Sequence, residues 1–278
     1  MSGFSAEWLA LREPADHRAR DGLLTMALAD RLQPKPLVRV VDLGCGTGSN
    51  IRATYAALGR EQHWTLVDYD ARLLAAARSA LTAWADGAAS DGDKLVLKKS
   101  GKTLVVAFRL ANLVGALDAA LGPECDLVTA SALFDLCSTE FIEKFAPAVA
   151  KRRAIFYTVL TYNGVQHWTP RHALDEAMAD AFHDHQATDK GFGPSAGPKA
   201  PAALARAFAA CGYVVKEGDS PWLLTRSDQR LIDELAPGFA SAVRETGKVR
   251  PAQIETWLAQ PRHGCEVGHT DTLALPPG

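Results

Sequence analysis

The chain has 278 residues, of which 47% are hydrophobic and 22% are charged, and its formal net charge is −2. This is the composition of an ordinary globular protein with enough residues for a full core, most simply one domain with insertions. The balanced charge offers no basic excess to meet a nucleic-acid backbone, which disfavours RNA and DNA substrates. The five cysteines are scattered without a C-x-x-C pair, so neither a disulfide framework nor a cysteine metal site is expected.

Residues 1–10 lack a basic segment followed by an apolar run, and no stretch of the sequence approaches eighteen uninterrupted apolar residues. We therefore expect a cytoplasmic protein without a membrane partner. The sequence says nothing about its oligomeric state.

Residues 5–32 carry apolar side chains at helical spacing, interrupted by a dense charge run at 12–21. One interpretation is a solvated helix entry with local ion pairs. The other is an N-terminal helical lid, residues 1–36, that closes on a ligand and lets Arg12 or Arg18 meet a substrate carboxylate. The sequence favours neither.

Residues 40–50 read VVDLGCGTGSN, which predicts a strand, a tight turn and the start of a helix. Glycines at alternate positions permit positive φ and close approach of a ligand, and the first helical turn presents free N–H groups. The third glycine, Gly48, comes one position earlier than the G-x-G-x-x-G dinucleotide fingerprint requires. Asp42, at the strand end, would repel a pyrophosphate.

The pattern D-x-G-x-G-x-G resembles motif I of the class I S-adenosylmethionine-dependent methyltransferases. Their ligand carries a sulfonium and an ammonium instead of phosphates, so an acid beside the turn is favourable. The resemblance covers about residues 37–160 by motif and the remainder by the order of elements. It implies S-adenosylmethionine as cofactor and S-adenosylhomocysteine as product.

Asp68 ends the next predicted strand, where a carboxylate can accept hydrogen bonds from both ribose hydroxyls. Tyr69 can lie along the adenine, whereas Asp70 is better suited to cap the helix predicted at 71–85. The family often has an acid where Asn112 falls, and an amide oxygen can accept the same hydrogen bond. The residues expected to contact the donor are Asp42, Gly44, Cys45, Gly46, Gly48, Asn50, Asp68, Tyr69, Ala111, Asn112 and Ser131.

Five alternating strand–helix steps predict an α/β fold with a doubly wound, mostly parallel seven-stranded sheet and helices on both faces. We expect a polar loop at 87–93, a hairpin feeding the third sheet strand, and an antiparallel last strand near 265–275. The methyltransferase domain would span 37–278, with substrate-side insertions at 161–198 and 225–262.

Residues 161–170 should leave the fifth strand beside the methyl donor, and residues 183–194 form either a mobile flap over a polar substrate or a structural connector. No metal is expected, because His183 and His185 would point to different helix faces. The candidate catalytic residues are Tyr162, His167 and His185, each more suited to orient substrate than to exchange its proton. The candidate substrate-binding residues are Arg12, Arg18, Asp135, Asn163, Gln186, Asp189, Lys190 and Phe192; Asp135 is alternatively a base or a helix cap.

Three functional hypotheses follow from these features. The first is a methyltransferase acting on the oxygen, nitrogen or sulfur of a small polar metabolite. The second is a methyltransferase that modifies protein or RNA. The resemblance weakens it, because amino-methyltransferases that act on nucleobase or glutamine nitrogens usually carry an Asn/Asp-Pro-Pro-aromatic run after the fourth strand, and this chain has none. The third is a protein that binds S-adenosylmethionine without turnover.

Overall fold

The computed structural model describes residues 4–278; the first three residues of the predicted N-terminal lid lie outside it. Two helices open the described chain, α1 (Ala6–Ala19) and α2 (Gly22–Leu32). Ser5 caps the first, accepting a hydrogen bond from the Trp8 amide, and Asp21 caps the second through the Leu24 amide.

The first half of the sheet follows the predicted alternation of strands and helices. Its elements are β1 (Leu37–Leu43), α3 (Ser49–Thr54), β2 (Glu61–Asp68), α4 (Ala71–Trp84), β3 (Gly87–Asp91), β4 (Lys94–Lys99), β5 (Lys102–Leu110), α5 (Leu113–Leu121), β6 (Leu127–Ser131) and α6 (Thr139–Ala150). The second half contains β7 (Ile155–Thr169), α7 (Asp175–Gln186), α8 (Ala200–Ala210), β8 (Val214–Asp219), β9 (Trp222–Leu224), α9 (Gln229–Thr246), α10 (Pro251–Ala259) and β10 (Gly264–Leu275).

One sheet contains all ten strands of the described residues, in the order β3-β4-β5-β2-β1-β6-β7-β10-β8, with β9 also paired to β10. Strands β5, β2, β1, β6 and β7 are mutually parallel, and β10 runs antiparallel to β7 and β8. The predicted α/β class, the mostly parallel sheet and the antiparallel last strand are confirmed. Helices cover both faces, over two separate cores of buried side chains.

The sheet has ten strands where seven were expected. The segment expected as a polar loop at 87–93 forms β3, antiparallel to β4. All five β3 residues are exposed, so no apolar alternation marks them as a strand. The predicted hairpin is confirmed as β4 and β5, and the tenth strand arises because Ser220 and Pro221 divide β8 from β9.

The fifth parallel strand is longer than expected. Residues 161–169, predicted as a loop beside the donor, continue β7 and pair with β10 as far as Thr169 and Gly264. Polar side chains at these positions concealed the strand, because they lie where β7 leaves the core. The insertion predicted at 225–262 contains two helices, α9 and α10.

Asp271 of β10 is a buried junction of the fold. Its carboxylate accepts hydrogen bonds from the backbone amides of Asp21 (2.9 Å) and Leu160 (2.8 Å) and from the Ser220 hydroxyl (2.5 Å). The three donors belong to the α1–α2 link, to β7 and to the β8–β9 link, so one side chain joins three segments. Burial raises the pKa of Asp271, and these hydrogen bonds oppose that rise.

We predict that Asp271→Ala lowers the free energy of unfolding by about 3 kcal/mol or more, because it leaves buried donors without an acceptor. Chemical denaturation measures the loss. Asp219→Ala, at an exposed position of β8, is the matched control and should change stability by less than about 0.5 kcal/mol. Equal effects of the two substitutions would contradict this role for Asp271.

Candidate active site

The turn between β1 and α3 has the backbone that its glycines predict. Gly44, Gly46 and Gly48 have φ of 62°, 52° and 75°, in the left-handed region that favours glycine. A Cβ on Gly44 would lie 3.1 Å from Leu133, and one on Gly46 would lie 3.0 Å from Leu9 of α1. The turn therefore has room for a glycine backbone at these positions but not for a side chain. We call residues 44–48 the glycine cradle.

Asp42 lies beneath this turn with no exposed surface. One carboxylate oxygen accepts a hydrogen bond from the Asn50 amide (2.7 Å), and Asn50 also donates to Thr129 (3.1 Å) at the neighbouring strand β6. The other carboxylate oxygen is buried without a partner. Burial raises the pKa of Asp42 to about 7, although Asn50 and Arg20 counteract that rise.

Arg20 completes this network from the link between α1 and α2. Its guanidinium donates to the Asn50 side-chain oxygen (2.9 Å) and to the Thr54 hydroxyl (3.0 Å). Asn50 therefore connects the acid at the end of β1 to the N-terminal helices. Arg20 falls inside the charge run that the sequence displays, but nothing in that run singles it out.

Asp68 lies at the carboxyl end of β2, beside the glycine turn. It accepts hydrogen bonds from the backbone amides of Gly46 (2.9 Å) and Asp70 (3.0 Å), and it is only 5% exposed. Burial raises the pKa of Asp68. Its neighbour Asp70 caps α4 through the Arg72 amide (2.8 Å), as the sequence suggests, and Tyr69 is exposed.

The remaining expected donor contacts follow the same edge of the sheet. Cys45 is buried, and its amide donates to the Val67 carbonyl (3.0 Å); the Ala111 amide donates to the Asp68 carbonyl (2.9 Å). Ser131 ends β6. The Asn112 side-chain oxygen accepts from the Val114 amide (3.0 Å) and so caps α5, which occupies the oxygen proposed for adenine.

Helix α1 lies across the glycine turn and is fixed to α3 by polar contacts. Glu13 forms an ion pair with Arg52 (2.5 Å), and His17 contacts the hydroxyl of Ser49 (3.0 Å). Leu9, on the same helix, contacts Gly46. Charged residues of this helix thus pair with α3, directly after the turn that the helix covers.

A buried polar cluster lies between α1, the end of β6 and the strands β7 and β10. Its members are Arg12, Asp16, Asp135, Tyr162, Trp222 and His269. Arg12 pairs with Asp16 (2.9 Å) and lies over the Trp222 ring (4.9 Å), whose indole nitrogen also donates to Asp16 (3.1 Å). The His269 ring lies 5.4 Å from that of Trp222 and 6.4 Å from that of Tyr162.

Asp135 borders the cluster from the short turn that follows β6. Burial raises its pKa to about 6, and Arg12 and the Tyr162 amide lower it in part. Burial also lowers the pKa of His269 to about 3, so this imidazole is neutral. Of the cluster, the sequence predicted Arg12, Asp135 and Tyr162 as candidates. It missed Asp16, which pairs with Arg12 one turn along the same helix, and Trp222 and His269, which join the cluster only through long-range packing.

The structure does not bring the three candidate catalytic residues together. Tyr162 is buried, and its hydroxyl contacts His183 (3.1 Å). His167 lies further along β7, where it is exposed and faces Glu266 of β10 (3.2 Å). His185 faces Glu245 (3.1 Å) on α9.

The other predicted substrate-binding residues lie in different surroundings. Arg18 is half exposed and pairs with Asp228 (2.5 Å). Asn163 donates weakly to Thr270 (3.4 Å) and accepts from the Val165 amide (3.2 Å). Gln186 has a buried side-chain oxygen without a partner.

Residues 187–197 pack against the start of α6. Phe192 contacts Phe141 (ring centroids 4.8 Å apart), and Ser195 donates to the Leu136 carbonyl (2.9 Å). Asp189 accepts from the Gly191 and Gly193 amides, and Lys190 donates to Thr188 (2.8 Å). These contacts are those of a structural connector in this conformation, the second of the two interpretations.

Within residues 4–278, no group of three or more His, Cys, Asp or Glu side chains is placed to hold a metal ion. No helix among these residues is long and apolar enough to cross a membrane.

We predict that Asp42→Asn raises the free energy of unfolding at pH 8 by about 4 kcal/mol and changes it little at pH 4. Below pH 4 the carboxyl is protonated both folded and unfolded. Between pH 4 and about 7 the unfolded chain releases the proton while the folded protein retains it, so wild-type stability falls with rising pH. Urea unfolding across this range measures the difference; Asp91→Asn, on exposed β3, is the control, and parallel curves for Asp42→Asn and wild type would contradict the prediction.

Comparison with known proteins gives structural matches only. No family model matches the sequence, and neither does any curated protein. The YcgJ protein from Bacillus subtilis superposes with a TM-score of 0.52 at 14% identity, covering 93% of this chain and 100% of that one. A cyclopropane-fatty-acyl-phospholipid synthase-like protein from Lactobacillus casei superposes with a TM-score of 0.51 at 16% identity, covering 98% of this chain and 95% of that one.

The cyclopropane synthase MmaA2 from Mycobacterium tuberculosis gives a TM-score of 0.50 at 13% identity, covering 98% of this chain and 94% of that chain. At such identities the likeness is one of fold. The chain has the α/β fold of these solved structures, and that fold agrees with the α/β class predicted from the sequence.

Proposed function

We propose that the protein is an S-adenosylmethionine-dependent methyltransferase that acts on a small polar metabolite. The observation that carries the proposal is the arrangement at the carboxyl edge of the sheet. A positive-φ glycine cradle, a carboxylate at the end of β2 and a buried polar cluster lie side by side on a methyltransferase fold. This edge is where open α/β sheets bind ligands.

The residues of this edge fit the cofactor. Gly44 and Gly46 have no side chain to block a ligand once Leu9 moves aside, Asp68 offers acceptors to ribose hydroxyls, and Tyr69 is exposed beside it. When bound, S-adenosylmethionine supplies a methyl group on a positively charged sulfur. The protein's own contribution is to hold the acceptor in line with that methyl group and to exclude water.

Asp42 supports the cradle from below. With no exposed surface, it acts through Asn50 rather than through a direct contact in this conformation. The carboxylate side chain also contributes negative potential beneath a cationic ligand, whose charge would favour its ionised form.

A small acceptor is supported by the enclosure of the site. Helix α1 covers the glycine turn, and Arg12, Asp16 and Trp222 form one wall of the polar cluster. A protein or RNA acceptor would need an open approach to the methyl group. The formal net charge of −2 also offers little attraction to an RNA backbone.

We predict that Asp68→Ala raises the dissociation constant for S-adenosylhomocysteine by about 10- to 100-fold, because hydrogen bonds from two ribose hydroxyls lose their acceptor. Isothermal titration calorimetry measures the change. Asp70→Ala is a matched control two positions away; it removes the α4 cap and costs about 1 kcal/mol of stability, but it should leave the affinity within about twofold. Absence of binding to the intact protein would overturn the cofactor assignment.

We predict that methyl-labelled S-adenosylmethionine transfers its label to a compound in the small-molecule filtrate of a cell lysate. Parallel incubation with the unfractionated lysate, followed by mass spectrometry, identifies the labelled class. Label confined to protein or RNA would contradict the small-metabolite assignment. Binding without transfer to any fraction would instead identify a non-catalytic binding protein.

A further inference from the structure

We propose that the methyl acceptor is an amine whose N–H groups are held by the carboxylate of Asp135 and the imidazole of His269. The inference rests on the proposed function and specifies the acceptor class of that same site. The two side chains are 8% and 6% exposed, and each has a buried polar atom, Oδ1 of Asp135 and Nδ1 of His269, without a hydrogen-bond partner. Buried polar atoms of this kind are rarely left unpaired in a complete site.

The sheet brings these two groups into one cluster. Strand β6 leads into the turn of Asp135 and pairs with β7, whose Tyr162 pairs with His269 of β10. The positive charge of Arg12 lowers the pKa of both groups. Tyr162 has its ring 6.4 Å from that of His269, while its backbone amide interacts with the Asp135 carboxylate. The turn carrying Asp135 also contacts β7 directly.

The hydrogen-bonding capacity of the cluster selects the chemistry of its ligand. Arg12 could hold an anionic substrate, but its charge is already paired with Asp16, to which its Nε and Nη2 donate, and it lies over the Trp222 ring. The buried atoms of the cluster without a partner are a carboxylate oxygen and a ring nitrogen, which has a free lone pair when the other nitrogen carries the proton. A ligand that donates two hydrogen bonds satisfies both atoms, and a primary amine carries the two N–H groups that this requires.

The net charge of the cluster also favours an amine. Arg12 contributes one positive charge, against the carboxylates of Asp16 and Asp135, while His269 is neutral. With both carboxylates ionised, the cluster has a net charge of −1. A negative enclosed site attracts an ammonium group and disfavours a carboxylate or phosphate acceptor.

Methyl transfer to an amine needs only one proton acceptor, and Asp135 can take that role. The amine arrives protonated and transfers one proton to Asp135, which leaves a lone pair on nitrogen. The nitrogen–carbon bond then forms as the carbon–sulfur bond breaks, and the bonding electrons remain on sulfur. The product nitrogen carries a positive charge, and the proton on Asp135 leaves to solvent as the product departs.

Paired carboxyl variants test the role of Asp135. Asp135→Asn keeps the shape of the side chain and should lower the rate of label transfer to the filtrate product by about 100-fold or more, with the affinity for S-adenosylhomocysteine within about twofold of wild type. Glu140→Gln, on the exposed start of α6, is the control and should transfer at the wild-type rate. A fully active Asp135→Asn variant would overturn the proposal.

Chemical blocking of the filtrate tests the acceptor class with unmodified protein. Acetylating the filtrate amines before the assay should abolish the labelled product, whereas blocking its thiols with N-ethylmaleimide should leave the product unchanged. A labelled product that survives acetylation, or one that carries the methyl group on oxygen or sulfur, overturns the amine assignment and leaves the proposed methyltransferase function standing. Binding of S-adenosylhomocysteine with no labelled product in any fraction overturns both.

Discussion

The hydrogen bond between Asp42 and Asn50 is the contact on which the rest of the site depends. It joins the end of β1 to the first turn of α3, so the three glycines between them must follow one path. Asn50 is in turn held by Arg20, and Arg20 belongs to the link between α1 and α2. The shape of the cofactor cradle and the position of the covering helices are therefore set by one network. Because the network is buried, Asp42 destabilises the folded protein when ionised, and we interpret that cost as the consequence of placing an acid beneath a cationic ligand.

Helix α1, which covers the glycine turn, connects the network of Asp42, Asn50 and Arg20 to the polar cluster. The helix α1 contacts the glycine turn through Leu9 and α3 through Glu13. The same face of the helix contributes Arg12 and Asp16 to the polar cluster against Trp222, because residues three and four apart are neighbours on a helix. A ligand that enters the cradle must displace Leu9, and a movement of α1 would carry Arg12 with it. Cofactor binding and acceptor binding are thus expected to be coupled through a single helix.

The sequence predicted the fold class and the conformation of the glycine turn, because both depend on local patterns. Glycine spacing predicts the turn at 44–48 directly, and alternating apolar runs locate the parallel strands. The sequence did not predict the exposed strand β3 or the extension of β7, because neither has an apolar face that a sequence pattern can detect. It also did not predict how the polar cluster assembles. Trp222 and His269 reach Arg12 only because β9 and β10 pair beneath α1, and no spacing along the chain encodes that meeting.

A crystal structure of the protein with S-adenosylhomocysteine would show whether the cofactor binds at the glycine turn. We expect the adenosyl group against the Gly44–Gly46 backbone, the ribose on Asp68 and the sulfur directed toward the cluster of Arg12, Asp135 and His269. Leu9 should have moved away from Gly46. Ligand density at any other part of the molecule, with the glycine turn still covered by Leu9, would contradict it.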